Sequence, residues 1–174
     1  MFKDFNISSF KKTKPPSDNS FDTDQEIKAL KKIPLRKDFV KKYDNIEKAF
    51  EQTAKDNNVK DYDKKIAAKL IKDSAPVILE LKKYHNRPRP YELDKNLKAV
   101  KMKSMNTPSF PSGHSAQGML IASVLKDKYG KSSAFMQTAK NISDSRNIAR
   151  AHYKSDSVNG TKLGKQLYKH IKKT

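Results

Sequence analysis

Apolar residues recur every three or four positions along most of this chain, and that spacing constrains the fold more than any other feature. The clearest case is residues 36–56, whose apolar positions are Phe39, Val40, Tyr43, Ile46, Ala49 and Phe50. This spacing places apolar side chains on one face of a helix. Alternating, strand-like runs are hard to find, and glycine is scarce, at 5 of 174 residues. We therefore predict an all-α protein, built as a compact bundle of six or seven helices.

The predicted helices form one domain that follows a polar tail. Residues 1–20 are polar and contain the pair Pro15-Pro16, which interrupts regular structure. We therefore predict a flexible N-terminal tail over residues 1–20 and a single helical domain over residues 21–174.

Within that domain, capping residues and prolines separate the helices. We predict helices over about residues 22–33, 36–56, 62–71, 74–84, 113–129, 132–151 and 155–172. Pro76 follows a capping sequence, so a new helix or a kink is predicted there. Residues 86–111 contain four prolines and are predicted to be a loop. A loop of this length inside a bundle is usually functional.

The net charge of the chain is strongly positive, at +19. Nearly all of this charge comes from lysines spread along every predicted helix, a pattern that is typical of solvated helix faces. Only five arginines are present, whereas proteins that read nucleic acids depend on the bidentate guanidinium of arginine. A nucleic acid is therefore an alternative partner but not the favoured one, because a small anionic substrate is attracted by the same charge.

Two further features bear on compartment and membrane association. The chain has no cysteine, which excludes disulfides and thiolate zinc sites. Its longest apolar stretch, residues 118–125, is far shorter than the roughly 18 residues that span a bilayer. Residues 1–20 lack the apolar core of a secretory signal. We expect a soluble, cytoplasmic protein, with a periplasmic location only if a leader precedes this sequence.

Three blocks of residues are candidates for a functional site. The first places Lys82 and Arg89, followed by a proline, where a predicted helix runs into the long loop. The second is PSGH, residues 111–114, where that loop enters the next helix. The third covers residues 145–156 and reads SR, then a histidine after five residues and an aspartate after three more. Taken singly, they read as a solvated basic turn, a serine N-cap and a surface ion pair.

The PSGH block predicts an anion site. The first N–H groups of a helix have no partners within the helix and lie at the positive end of its dipole. They therefore bind anions readily. Ser112 adds a hydroxyl group, and His114 lies in the first helical turn, facing whatever binds there.

The third block pairs a base with a carboxylate that can orient it. His152 and Asp156 are four residues apart, so they are neighbours on a helix face or across a helix start. A carboxylate bonded to one imidazole nitrogen fixes the tautomer and leaves the other lone pair free as a nucleophile or base. Arg146 lies nearly two turns upstream, where its guanidinium can hold two oxygens of a tetrahedral oxyanion.

The three blocks together indicate one phosphate pocket. Their pattern, K-x6-RP, PSGH and SR-x5-H-x3-D, fixes eleven positions, and each is met by chance at about one in twenty. Four of the five arginines lie in or beside the first and third blocks. Such a concentration argues against three unrelated surface features.

In this pattern the chain resembles the type 2 phosphatidic acid phosphatase superfamily, which includes the bacterial class A nonspecific acid phosphatases and the vanadium haloperoxidases. The resemblance covers about residues 75–172 and includes every motif position. The last predicted helix, in which Gly160 and Gly164 lie one turn apart after Asp156, also resembles the soluble acid-phosphatase branch. Because no spanning segment is seen, an integral-membrane lipid phosphatase is disfavoured.

The resemblance implies a role for each motif residue. His152 is the nucleophile that becomes a phosphohistidine, Asp156 stabilises its imidazolium form, and His114 acts first as general acid and then as base. The implied phosphate-binding groups are Lys82, Arg89, Ser112, Gly113 and Arg146. No metal or other cofactor is implied, although phosphate or vanadate can occupy the pocket. Three groups beside the motifs are expected to be supporting or surface groups: His85, Arg87 and Arg150.

We therefore expect a metal-independent acid phosphatase that hydrolyses small phosphomonoesters. Two alternatives stay open. One is a vanadium-dependent haloperoxidase, because vanadate resembles the phosphorylated intermediate. The other is a basic protein that binds nucleic acid or an anionic surface and has a vestigial pocket. The sequence indicates neither the natural substrate nor the oligomeric state.

Overall fold

The computed structural model describes residues 1–173, and the regular secondary structure in that range is entirely helical, with no strand. Its α-helices are α1 (Ser8–Lys12), α2 (Phe21–Lys32), α3 (Lys37–Asp44), α4 (Ile46–Asp56), α5 (Lys65–His85), α6 (Pro90–Leu93), α7 (Gly113–Tyr129), α8 (Ser132–Ile148) and α9 (Lys154–Lys173). A short 3₁₀-helix covers Lys103–Asn106. The all-α prediction is confirmed. The described residues form more short helices than the six or seven predicted.

Helix α7 is the centre of the bundle. It packs most extensively against α8 and α9, and also against α5 and α4. Its apolar residues Leu120, Ile121 and Leu125 are fully buried, as expected for a helix that is covered on all sides. Ser112 caps its start, and Gly130 ends it in the left-handed region at φ 78°. The PSGH block therefore lies at the N-terminus of this central helix.

Two predicted helix boundaries are wrong. Residues 36–56 form two helices, because the Asn45 side chain accepts a hydrogen bond from the Lys48 N–H at 2.9 Å and caps a new helix. Conversely, α5 continues through Pro76, so of the two alternatives predicted there, a new helix or a kink, the new helix is wrong. Leu70, Val77 and Ile78 are all buried along α5, and burying that continuous apolar face outweighs the lost backbone bond of one proline.

Residues 1–20 pack against the bundle, whereas the sequence predicts a flexible tail. Phe2 is buried in the main core. Lys11 forms a 2.8 Å ion pair with Glu80 of α5, and the Phe10 carbonyl oxygen lies 2.9 Å from His85 Nε2. The segment is polar on average, but its few aromatic residues, such as Phe2, pack against the main core and hold it to the bundle. The division into one domain over residues 21–174 stays a prediction.

Candidate active site

The three motif blocks meet around one cavity of about 200 Å³. Its lining residues are Ala75, Ile78, Leu79, Lys82, Arg89, Ser104, Gly113, His114, Gln117 and His152. Five of the eight predicted site residues therefore line this cavity. The other three, Ser112, Arg146 and Asp156, are not among the lining residues and are at most 1 % exposed.

His152 is held in a defined tautomer at the wall of the cavity. Its Nδ1 lies 3.1 Å from Asp156 Oδ2, and its Nε2 lies 3.2 Å from Arg89 Nη1. A guanidinium can only donate and a carboxylate can only accept. Nδ1 therefore carries the hydrogen, and Nε2 presents its lone pair to the guanidinium and the cavity. This is the arrangement that a nitrogen nucleophile needs.

Burial and charge keep this pair in the neutral imidazole and carboxylate forms. Burial, together with the positive charges of Arg89 and Lys82, lowers the pKa of His152 to about 3, although Asp156 opposes the shift. For Asp156, burial raises the pKa, but the hydrogen bond from His152 and the positive charge of Arg87 outweigh it and leave the pKa below its usual value. Above about pH 3 the imidazole is therefore unprotonated in the free protein.

Asp156 divides its two oxygens between different partners. Oδ2 accepts from the Tyr153 N–H at 3.1 Å and from the Ser109 hydroxyl, besides its contact with His152. Oδ1 accepts from Arg87 Nη1 at 2.7 Å. The sequence predicts only that Arg87 is a supporting or a surface group. In the structure Arg87 is buried and bonds to Asp156. Ser109, in contrast, belongs to none of the three motif blocks and was not predicted. Its hydrogen bond to Asp156 joins residues that are 47 positions apart in the chain.

Lys82 and Arg89 tie the long loop to the site. Lys82 Nζ donates to the Pro108 carbonyl oxygen at 2.6 Å. Arg89 donates to the carbonyl oxygens of Thr107 at 3.0 Å, Ser104 at 3.1 Å and Ala151 at 2.9 Å. Burial, helped by the nearby Arg89 charge, lowers the pKa of Lys82 to about 7. The predicted loop therefore has a fixed path that both cations define.

The PSGH block is fixed by α9 as well as by its own helix. The Ser112 hydroxyl accepts from the Ser115 N–H at 3.3 Å, and the Ser112 N–H donates to the Asp156 carbonyl oxygen at 3.0 Å. A Cβ added at Gly160 of α9 would lie 2.3 Å from the Ser112 carbonyl oxygen. The same addition at Gly164 would lie 2.3 Å from the Ala116 carbonyl oxygen. These two glycines therefore let α9 approach the first turns of α7.

His114 and Arg146 share one neighbour, Asp44, at the end of α3. His114 Nε2 lies 2.9 Å from the Asp44 carbonyl oxygen, and Arg146 Nη1 donates to Asp44 Oδ1 at 3.0 Å. Arg146 Nη2 is buried and has no hydrogen-bond partner. Burial, helped by the Arg146 charge, lowers the pKa of His114 to about 4. No motif predicts Asp44, which lies 70 residues before His114.

The described residues also bear on metal binding and on membrane insertion. Residues 1–173 contain no group of three or more histidine, aspartate or glutamate side chains placed to hold a metal ion. Within the same range, no helix combines the length and the apolar composition that crossing a bilayer requires.

Comparison with known proteins identifies the family. A search of curated proteins found no match. The family model of the PAP2 superfamily matches residues 66–167, which is more than half of the chain and extends from α5 into α9. All three motif blocks lie inside this range, so the resemblance to the type 2 phosphatidic acid phosphatases is confirmed. The chain belongs to the PAP2 superfamily, whose members are generally phosphatases or phosphoesterases.

Proposed function

We propose that this protein is a metal-independent acid phosphatase that hydrolyses small phosphomonoesters through a phosphohistidine. The observation that supports this most strongly is the arrangement of His152. Its Nδ1 is bonded to a buried carboxylate, and its Nε2 lone pair lies beside a guanidinium at a cavity that also reaches His114. Side chains suited to act as nucleophile, acid and cations thus surround a space that can hold a phosphoryl group, which supports the proposal.

In the first chemical step, the Nε2 lone pair of His152 attacks phosphorus and forms a P–N bond. The bond from phosphorus to the leaving oxygen breaks, and His114 gives that oxygen a proton. His152 becomes an imidazolium, whose Nδ1–H stays bonded to Asp156 Oδ2. The buried carboxylate stabilises that positive charge, much as a triad carboxylate does.

In the second step, water replaces the histidine. His114, now neutral, takes a proton from the water while its oxygen attacks phosphorus. The P–N bond breaks, its electron pair returns to His152 Nε2, and phosphate leaves. One histidine therefore serves as acid and base in turn, and His114 ends the cycle protonated, as it began.

The cations hold the charge on the phosphoryl oxygens, as phosphoryl transfer requires. Arg89 can exchange its 3.2 Å contact with His152 and its 3.5 Å contact with Thr107 for phosphoryl oxygens. Arg146 keeps one buried N–H group without a partner, and an anion would satisfy it. Lys82 lines the same cavity and, with a pKa of about 7, carries its positive charge in acid.

The low pKa of His114 fits an enzyme that works in acid. In the free protein this imidazole loses its proton above about pH 4. A bound phosphoryl group places negative charge nearby, which favours the imidazolium and raises that pKa. Substrate binding therefore favours the protonated form of His114, which is the form that can act as the general acid.

The test is hydrolysis of p-nitrophenyl phosphate in EDTA by the wild-type protein and by His152→Ala. His170→Ala is a matched control, because His170 lies at the far end of α9 and does not line the cavity. We expect turnover in EDTA by the wild type and the control, and its loss in His152→Ala. Activity that requires added metal, or that persists in His152→Ala, would contradict the proposal. Halide oxidation with peroxide and vanadate, without phosphatase turnover, would favour a haloperoxidase.

A further inference from the structure

A charge network that is buried at Arg87 and Asp156 connects the active site to a helix outside the matched family region. Glu26 of α2 accepts from Arg87 Nη2 at 3.0 Å, and Arg87 Nη1 donates to Asp156 Oδ1 at 2.7 Å. The Arg87 side chain is 1 % exposed and that of Asp156 is fully buried. Asp156 in turn orients His152. The network therefore extends from α2 to the imidazole through one guanidinium.

Glu26 also binds the first turn of the helix that carries Asp156. Its Oε1 accepts from the Ser155 N–H at 2.6 Å, and its Oε2 accepts from the Ser155 hydroxyl at 2.7 Å. A carboxylate is favourable at a helix N-terminus, because the first N–H groups have no partners within the helix. Glu26 thus fixes the residue before Asp156 as well as the cation that bonds to it.

The guanidinium of Arg87 is divided between two carboxylates, and that division decides what Asp156 can do. Arg87 stacks at 3.6 Å on the Tyr153 ring, which fixes its plane. One of its terminal nitrogens faces Glu26 and the other faces Asp156 Oδ1. If Glu26 lost its charge, both nitrogens would favour Asp156, because arginine pairs with a carboxylate bidentately. Oδ2 would then be drawn from His152 to Arg87.

We propose that Glu26 is a positioning residue of the active site, which holds Arg87 so that Asp156 keeps Oδ2 for His152. The catalytic part of this inference rests on the proposed phosphatase function. The contacts themselves do not. The proposal gives α2, which lies before the matched residues 66–167, a part in orienting the nucleophile.

The first experiment compares Glu26→Gln with Asp24→Asn. Asp24 lies on the same helix, but it is exposed and pairs with Lys28 rather than with the site. Both changes replace a carboxylate by the amide of the same shape. With p-nitrophenyl phosphate we expect Glu26→Gln to lower kcat by roughly tenfold or more, with KM within about twofold of wild type. Asp24→Asn should match wild type in both constants.

The second measurement does not depend on turnover. The ring ¹⁵N and ¹H resonances of His152, assigned by their loss in His152→Ala, report its hydrogen bond to Asp156. We expect them to shift in Glu26→Gln and to stay in place in Asp24→Asn. A merely structural role would lower the unfolding midpoint but leave the resonances of the folded fraction unchanged.

The outcomes separate this inference from the proposed function. Unchanged kcat and unchanged His152 resonances in Glu26→Gln would overturn the inference, as would a loss explained by the unfolded fraction alone. If the wild type hydrolyses no phosphomonoester, the proposed function fails, and the resonances still decide whether Glu26 acts on His152. Should Glu26→Gln not fold, Glu26→Asp is measured in its place. It keeps the charge but shortens the reach to Ser155 and Arg87, so the same shift in resonances and a smaller fall in kcat are expected.

Discussion

Gly160→Ala tests how closely α9 must approach the active-site end of α7. The added Cβ would lie 2.3 Å from the Ser112 carbonyl oxygen and 3.0 Å from Ser115 Cβ. An ordinary carbon-to-oxygen contact is about 3.4 Å, so the two helices must separate by roughly 1 Å at this point. The obstructing oxygen belongs to the backbone of the α7 cap and cannot rotate away as a side chain would.

The cost follows from overpacking and from displacement of the site. Forcing an extra carbon into a packed interface costs about 1–3 kcal/mol, and the better helix propensity of alanine returns up to about 1 kcal/mol. With the full return, we therefore expect the free energy of unfolding to fall by up to about 2 kcal/mol. The same shift moves Ser112 and His114 relative to His152. A misplacement of about 1 Å costs up to about 100-fold in rate, so kcat/KM should fall roughly 10- to 100-fold.

Urea unfolding and p-nitrophenyl phosphate kinetics measure both effects. Gly118→Ala is the matched control, because a Cβ there meets Ile142 at 3.4 Å, an ordinary contact. It should be at least as stable as wild type and equally active. The reasoning is refuted if Gly160→Ala retains the stability and the kcat/KM of Gly118→Ala.

Three further predictions concern the chemistry of the cavity. The value of kcat/KM should peak in acid, because His152 must be neutral, at a pH above its pKa of about 3, and His114 must be protonated, at a pH below its pKa of about 4. The fall of kcat with rising pH should occur at higher pH, because bound substrate raises the pKa of His114. A neutral optimum for kcat/KM would contradict this prediction. His114→Gln should lower the rate of hydrolysis of an alkyl phosphate by about 10²- to 10⁴-fold. The rate with a nitrophenyl phosphate should fall much less, because that leaving group needs no proton, and equal losses would argue against a general acid. Arg146→Lys should raise KM about tenfold or more, since each hydrogen bond to a charged group contributes about 1.5–3 kcal/mol, whereas exposed Arg36→Lys should not.

The motif residues can be found from the sequence because each block is local. Five of the eight predicted residues line the cavity, and the remaining three are buried. Short spacings such as the four residues from His152 to Asp156 are set by helix geometry, so they can be read without the fold. The roles assigned to these residues stay predictions.

What the sequence does not reveal are contacts between distant segments. Asp44 meets Arg146 across 102 residues, and Glu26 meets Ser155 across 129. Neither acidic residue differs in local pattern from the exposed ones nearby, since only tertiary packing brings it to the site. The continuous α5 was hidden for a related reason: Pro76 favours a helix start locally, whereas the buried face of α5 is decided by the whole bundle.

The central claim is a covalent phosphohistidine at His152, and rapid quenching tests it most directly. Protein mixed with a ³²P-labelled phosphomonoester in EDTA is stopped with alkali, which preserves phosphohistidine, and the labelled peptide is sequenced. We predict one label per active site, on His152, that is lost in acid and absent in His152→Ala. A protein that turns over substrate without ever becoming labelled, or that carries the label on another residue, would contradict the account.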